Sequence, residues 1–160
     1  MAPPYDIPGQ LRSFKFIYAA MAIVQVVLGG AIYGLLTTGM LGAPDYTMAL
    51  VFQEIALFFI PITMAIGYFL FRYMVARIDA KLPLEDKLKR YYSVTLVRAA
   101  LFEAAFVYCC VAALVTRISL FLWIAPIIFL LFLMMRPSPE AITTDLQLTP
   151  GDSSKLAQRS

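Results

Sequence analysis

The sequence predicts an all-α fold: a polytopic bundle of four transmembrane helices with both termini on the cytoplasmic side. Three observations predict it. Hydrophobic residues make up 61% of the 160 positions and charged residues 14%, against roughly half and a quarter in soluble domains. A soluble core of this size could not bury so much apolar surface, so a bilayer is the expected solvent. The apolar residues fall into four runs, 16–36, 48–71, 94–115 and 118–135, each close to the roughly 20 residues that a span needs. Finally, 11 of the 13 basic residues precede the first run, join the second to the third or follow the fourth. That bias places the termini and the central segment in the cytoplasm.

Taken in order, residues 1–15 form an N-terminal cytoplasmic arm, whose Pro3, Pro4 and Pro8 predict an extended, poorly ordered start. The first span carries no charge. Its apolar run is too long for a signal-peptide core and no A-x-A-like site follows, so it reads as an uncleaved anchor. Gly39, Gly42, Pro44 and Asp45 mark a short external turn. The second span holds one charge, Glu54, and an internal proline, Pro61. Residues 72–93 are a charged cytoplasmic segment bearing Arg72, Arg77, Lys81, Lys87, Lys89 and Arg90. Within it Pro83 suits a helix start, and Leu84, Leu88, Tyr91 and Tyr92 share one helical face. This predicts a charged amphipathic helix at the interface, running on into the third span. It offers either a docking surface or simply a solvated extension with an aromatic belt.

The third span contains Arg98 and Glu103. A tight external turn at 115–119 makes it a hairpin with the uncharged fourth span, which holds Pro126. In the tail, 136–160, Arg136 follows the last span, and Ser138 as N-cap with Pro139 behind it predicts a short helix through Leu148. Residues 151–160 are polar and are expected to be disordered. The two hairpins share a weak pattern: a basic-aromatic opening, a mid-span Gln25 or Glu103, and a proline followed by a terminal arginine. It is compatible with a parallel duplication.

Functional classes narrow quickly. The chain has no histidine, and its two cysteines, Cys109 and Cys110, are adjacent in an apolar run. Histidine-ligated haem, His-containing zinc sites, Ser-His-Asp triads and Cys-His dyads are excluded. No cofactor, metal site or enzymatic role is expected, and both thiols read as buried and inert. The net charge is +3, and no basic stripe alternates with aromatics, so nucleic acid is not an expected partner. The expected partners are the lipid bilayer and other membrane subunits or further copies of the chain.

Polar groups inside the spans are the candidate site, because burying them in hydrocarbon is costly. Glu103 is the tenth residue of its span and Gln25 the tenth of the first. Ala22, Gln25 and Gly29 share one face of the first span, and Ala99, Ala100 and Ala104 surround Glu103. This predicts close packing of the first and third spans, with Gln25 beside a protonated, hydrogen-bond-donating Glu103. Arg98 lies about 140° around the helix from Glu103 and is expected to snorkel to the cytoplasmic surface. Gln53 and Glu54 lie nearer the outer face, and Pro61 and Pro126 can kink their helices. Together these groups read either as a proton or cation path or as interhelical hydrogen bonds that set register. Gly30 and Gly34 form a GxxxG motif that suits packing within the chain or against another subunit, and packing within the chain is the preferred reading.

Gly67-Tyr68-Phe69-Leu70-Phe71-Arg72, Arg98 with Leu101-Phe102-Glu103, Arg136-Pro137-Ser138 and Asp145-Leu146-Gln147-Leu148 carry a resemblance over the second half of the chain. This half resembles a family of small four-span inner-membrane proteins of Gram-negative bacteria, one without an established activity. The resemblance implies a bacterial inner-membrane location and an intact four-helix unit. Two other four-span classes fit poorly: the quinone-linked thiol oxidases need paired cysteines, and the small multidrug exporters carry a midplane glutamate where this chain has Gln25. The expected function is that of an accessory or structural subunit of a larger inner-membrane complex. The alternative is a small oligomeric transporter or channel coupled through Glu103 and Glu54.

Overall fold

A computed structural model describes residues 7–79 and 81–148, and the described residues are helical with no strand. The order is α1 (Ile7–Thr37), α2 (Tyr46–Ala76), α3 (Leu84–Thr116), α4 (Leu120–Met134) and α5 (Pro139–Asp145). Three helices are long and apolar enough to cross a membrane, and α4 is a shorter apolar helix. At about 1.5 Å per residue, its 15 residues reach about 22 Å, short of a typical hydrocarbon core of about 30 Å. The predicted fourth run is trimmed at its start, where Arg117 takes a left-handed conformation (φ 59°) and the Thr116 hydroxyl accepts from the Ile118 N–H. The chain therefore turns through residues 117–119 before α4 can begin.

The arrangement is centred on α3. It packs against α2 on one side and against α1 and α4 on the other, while α1 also touches α4. Its buried positions include Phe102, Ala105, Phe106, Cys109, Ala112 and Ala113. These small and aromatic residues let neighbouring backbones approach closely, as helices in lipid require. The glycine that matters most for the α2 contact is Gly67, where a Cβ would meet the Phe102 ring at 3.3 Å. No comparable packing joins α1 to α2, so the first pair of long helices is not a packed hairpin as α3 and α4 are.

Three boundaries differ from those expected. The described part of the N-terminal arm is helical from Ile7 onward, because Pro8 and Gly9 fall in a first turn whose N–H groups need no intrahelical partner. The charged segment 72–93 shrinks to a short connection, since α2 continues to Ala76 and α3 starts at Leu84. The amphipathic stretch runs on into the third apolar run, the two forming one continuous helix of 33 residues. Leu88, Tyr91 and Tyr92 are buried on the bundle side of it. The Ser138 cap stands as expected, its hydroxyl accepting from the Ala141 N–H at 3.1 Å, and α5 ends at Asp145. The expected disorder of residues 151–160 falls outside the described residues.

Candidate functional site: two polar regions along the bundle

The first region is at the end of the bundle where α1 begins and α4 finishes, hereafter the basic end. A helix C-terminus leaves its last carbonyls without intrahelical donors, and α4 obtains donors from its neighbours. The Tyr18 hydroxyl on α1 donates to the Phe132 carbonyl at 2.5 Å, with its ring stacked on the Phe132 ring at 4.4 Å. Arg98 on α3 donates to the Met135 carbonyl at 2.7 Å, and its guanidinium lies 3.8 Å above the Phe71 ring of α2. A cation at this position also complements the negative end of the α4 dipole. Arg98 therefore turns inward and ties α2, α3 and α4 together, where snorkelling to the surface was expected. The reason is local: a partner ring and an orphan carbonyl lie within reach.

The same end is closed by α5. Ile142 and Leu146 are buried, and the Tyr91 hydroxyl donates to the Asp145 carboxylate at 2.9 Å. Phe14 stacks on Tyr92 at 4.5 Å and Tyr91 meets Phe71 edge-on at 5.8 Å. Of the basic residues there, Arg72, Lys89, Arg90 and Arg136 are exposed, Lys87 has a buried stem, and Arg77 lies 4.2 Å over the Tyr73 ring. A surface recess of about 850 Å³ between α2 and α3 is edged by Arg77, Lys89, Arg90 and Asp86.

The second region lies halfway along α1. Gln25 is 1% exposed, yet neither its amide nitrogen nor its amide oxygen has a hydrogen-bond partner. It borders a cavity of about 360 Å³ between α1 and α4, walled by Gly29, Gly30 and Tyr33 on one side and by Leu122, Trp123 and Pro126 on the other. The Phe106 ring of α3 forms part of the wall and is 3.3 Å from where a Gly29 Cβ would stand. Pro126 has no N–H, so the Leu122 carbonyl loses its usual donor four residues on.

The other sequence-predicted groups do not join Gln25. Glu103 is half-buried, and no ion pair or hydrogen bond holds it among the described residues. The expected hydrogen bond between Gln25 and Glu103 is absent. At about 100° per residue, Glu103 stands at the edge of the buried arc of α3, next to the exposed Ala100, Ala104 and Val107. Ala100 and Ala104 are thus not packing residues. Ala99, Ala105, Ala112 and Ala113 take that role, a choice that a nearly uniform apolar run conceals. Gln53 and Glu54 are exposed on α2. Gly30 and Gly34 would have nothing within 4 Å of an added Cβ, so of these three glycines of α1 only Gly29 closely approaches a side chain of another helix. Helices α2 and α4 continue unbroken through Pro61 and Pro126. No group of three acidic or cysteine side chains suited to a metal occurs among the described residues. Cys109 and Cys110 are buried free thiols.

At the opposite end of the bundle, Arg117 donates to the Ala43 carbonyl at 2.9 Å and the Asp45 N–H donates to the Thr116 carbonyl at 3.0 Å. These bonds join the two loops at that end. Two features were not found from the sequence: the α5 clasp through Tyr91 and Asp145, and Gly67. Asp145 and Gly67 lay within segments quoted for the family resemblance, and Tyr91 on the helical face shared with Leu84 and Leu88.

Comparison with protein-family models, curated proteins and solved structures returned no match. The fold and the two polar regions define the class of the molecule: a helical protein with three helices long and apolar enough to cross a membrane, a hydrogen-bonded polar cluster at one end and an unpaired buried amide halfway along α1.

Proposed function

We propose that this chain is a non-enzymatic, four-span protein of a bacterial inner membrane, with both termini in the cytoplasm, acting as an accessory or structural subunit of a larger membrane complex. The observation that carries this reading is on α2. Gln53 and Glu54 are exposed there with no partner among the described residues, on a helix otherwise built to face lipid. An amide and a carboxyl facing hydrocarbon are costly, and polar groups of another transmembrane helix are their natural complement. The basic-end residues support the orientation.

Photocrosslinking in native membranes tests it. A photoreactive residue at Gln53 is expected to capture one integral membrane protein in stoichiometric yield. The same probe at Val111, on the exposed arc of α3, is expected to capture lipid. Crosslinking to lipid alone from both positions overturns the proposal.

A second reading has its own observation. Glu103 is half-buried at mid-helix without a polar partner, as a carboxyl that binds and releases a cation or proton would be. As a transporter or channel, the protein should show ion or proton flux in proteoliposomes that Glu103→Gln abolishes. Flux that survives the substitution, or no flux at all, removes this reading.

A further inference from the structure

We infer that the cavity between α1 and α4 is a binding site for a neutral, membrane-soluble molecule that carries a carbonyl or hydroxyl oxygen on a flat apolar body, with that oxygen paired to the Gln25 amide.

The amide is the starting point. Burying a primary amide with neither its donors nor its acceptor paired costs about 1–3 kcal/mol, and Gln25 sits in that state at 1% exposure. It borders a cavity that a partner could enter. Gln25 lines the cavity with both amide atoms covered, and a change of its side-chain rotamer is what would turn the Nε2 donor or the Oε1 acceptor into it. The volume of about 360 Å³ lies in the range of small-molecule sites, about 300–1,000 Å³. The walls contribute rings from Tyr33, Phe106 and Trp123 and no ionisable acid or base, which selects a neutral ligand with a planar apolar part.

Depth excludes the commonest alternatives. Gln25 stands tenth among the 21 residues of the uncharged run 16–36, about 14 Å along the helix from its start. Ester oxygens of a phospholipid lie at the edge of a hydrocarbon core about 30 Å thick and do not reach it, whereas a quinone-like head that dissolves in the core does. A single water held by Gln25 and the Leu122 carbonyl would leave most of the cavity of about 360 Å³ empty. The site lies across α3 from Gln53 and Glu54, so it does not depend on the subunit reading and fails or stands separately.

The chain supplies its own reporter, because Trp123 is its single tryptophan and forms part of the wall. The experiment titrates decylubiquinone into nanodiscs holding the full chain and follows Trp123 emission. Collisional quenching by quinone free in the bilayer rises linearly in every variant. Occupation of the site adds a saturable component. In wild type that component is expected; in Gln25→Leu it should need about tenfold more ligand, the loss of one hydrogen bond. In Gly30→Leu it should disappear, since the new side chain starts in open space on the cavity wall and fills it without disturbing a contact. Helical content and monodispersity of both variants confirm that they fold. Quenching that is linear throughout, or equally saturable in wild type and Gln25→Leu, overturns the inference. So does saturable quenching by a brominated-chain phosphatidylcholine of equal strength in all three proteins, which would identify an acyl chain as the occupant. Crosslinking of a second copy or a foreign helix through the cavity overturns it as well.

Discussion

The basic end of the bundle and its middle solve the same problem in opposite ways. At the basic end, Tyr18, Tyr91 and Arg98 each donate a hydrogen bond to a group on another helix, and those bonds reach the C-terminus of α4 and the Asp145 carboxylate of α5. In the middle, Gln25 is buried more completely than Arg98, yet both of its amide atoms remain unpaired. The cluster at the end behaves as structure: it is dense and cross-linked among α1 to α5. The midplane amide is what a structural role leaves unexplained, because a leucine would fill the same space without the cost. The contrast separates residues that hold the fold from a residue that the fold holds at a disadvantage.

The largest test of this contrast is Arg98→Met. It removes a charged hydrogen bond to the Met135 carbonyl and the cation above Phe71 while keeping an apolar stem. With about 1.5–3 kcal/mol for the hydrogen bond and about 1 kcal/mol for the ring contact, a loss of about 3 kcal/mol is expected in reversible unfolding by SDS in mixed micelles. Arg98→Lys should recover the carbonyl contact only in part, since a lysine ammonium lacks the planar fork that serves ring and carbonyl together. A loss below about 0.5 kcal/mol for Arg98→Met would mean that the basic end does not organise α4.

Next in size is the clasp. Tyr91→Phe leaves the edge-on contact with Phe71 and deletes the bond to Asp145. A loss of about 1.5 kcal/mol is expected, the value for a hydrogen bond to a charged acceptor, together with faster proteolysis after residue 136. Asp145→Asn should cost less than Tyr91→Phe, because the amide oxygen can still accept from the phenol. A double-mutant cycle that finds the two effects additive would show that the bond does not couple α3 to α5.

The middle of the bundle should answer with the reverse sign. Gln25→Leu removes two unpaired buried polar atoms and keeps the volume, so it is expected to raise stability by about 1 kcal/mol in the absence of ligand. Saturating decylubiquinone should narrow or invert that gain, since it binds about tenfold more tightly to the protein whose amide it can pair with. Destabilisation by Gln25→Leu without ligand would show that the amide already has a partner and would erase the contrast.

Most of the fold was legible because hydropathy is written along the chain: the three long helices and the shorter fourth coincide with the four apolar runs, and Ser138 and Pro139 mark a helix start by their side-chain chemistry. What the sequence concealed is rotational. In α3 almost every residue is apolar, so periodicity cannot say whether Ala99 or Ala100 faces the bundle, and the partner of Glu103 was misplaced for that reason. Arg98 was misread because its acceptor, the Met135 carbonyl, is a backbone group of a distant helix end and leaves no residue-type signature. Gln25 is legible in the sequence as a polar residue inside an apolar run, but its lack of a partner is a property of the packing alone.

The smallest expected effects come from two glycines and make the rotational point quantitative. Gly30 and Gly67 are both helical, and replacing either by alanine gains about 0.5–1 kcal/mol of backbone entropy. At Gly30 an added Cβ meets nothing within 4 Å, so Gly30→Ala should raise stability by about 0.5 kcal/mol. At Gly67 the Cβ would stand 3.3 Å from the Phe102 ring and 3.6 Å from Leu101. Because Phe102 is 1% exposed, the ring has no free space into which to retreat. The α2 and α3 backbones must then separate by a few tenths of an ångström, an overpacking cost of about 1–2 kcal/mol. Gly67→Ala should therefore lower stability by about 0.5 kcal/mol, opposite in sign to Gly30→Ala. Equal responses at the two sites would mean that α2 is not seated on α3 at Gly67, and the sidedness of α3 from which Glu103 and Ala100 were assigned would have to be redrawn.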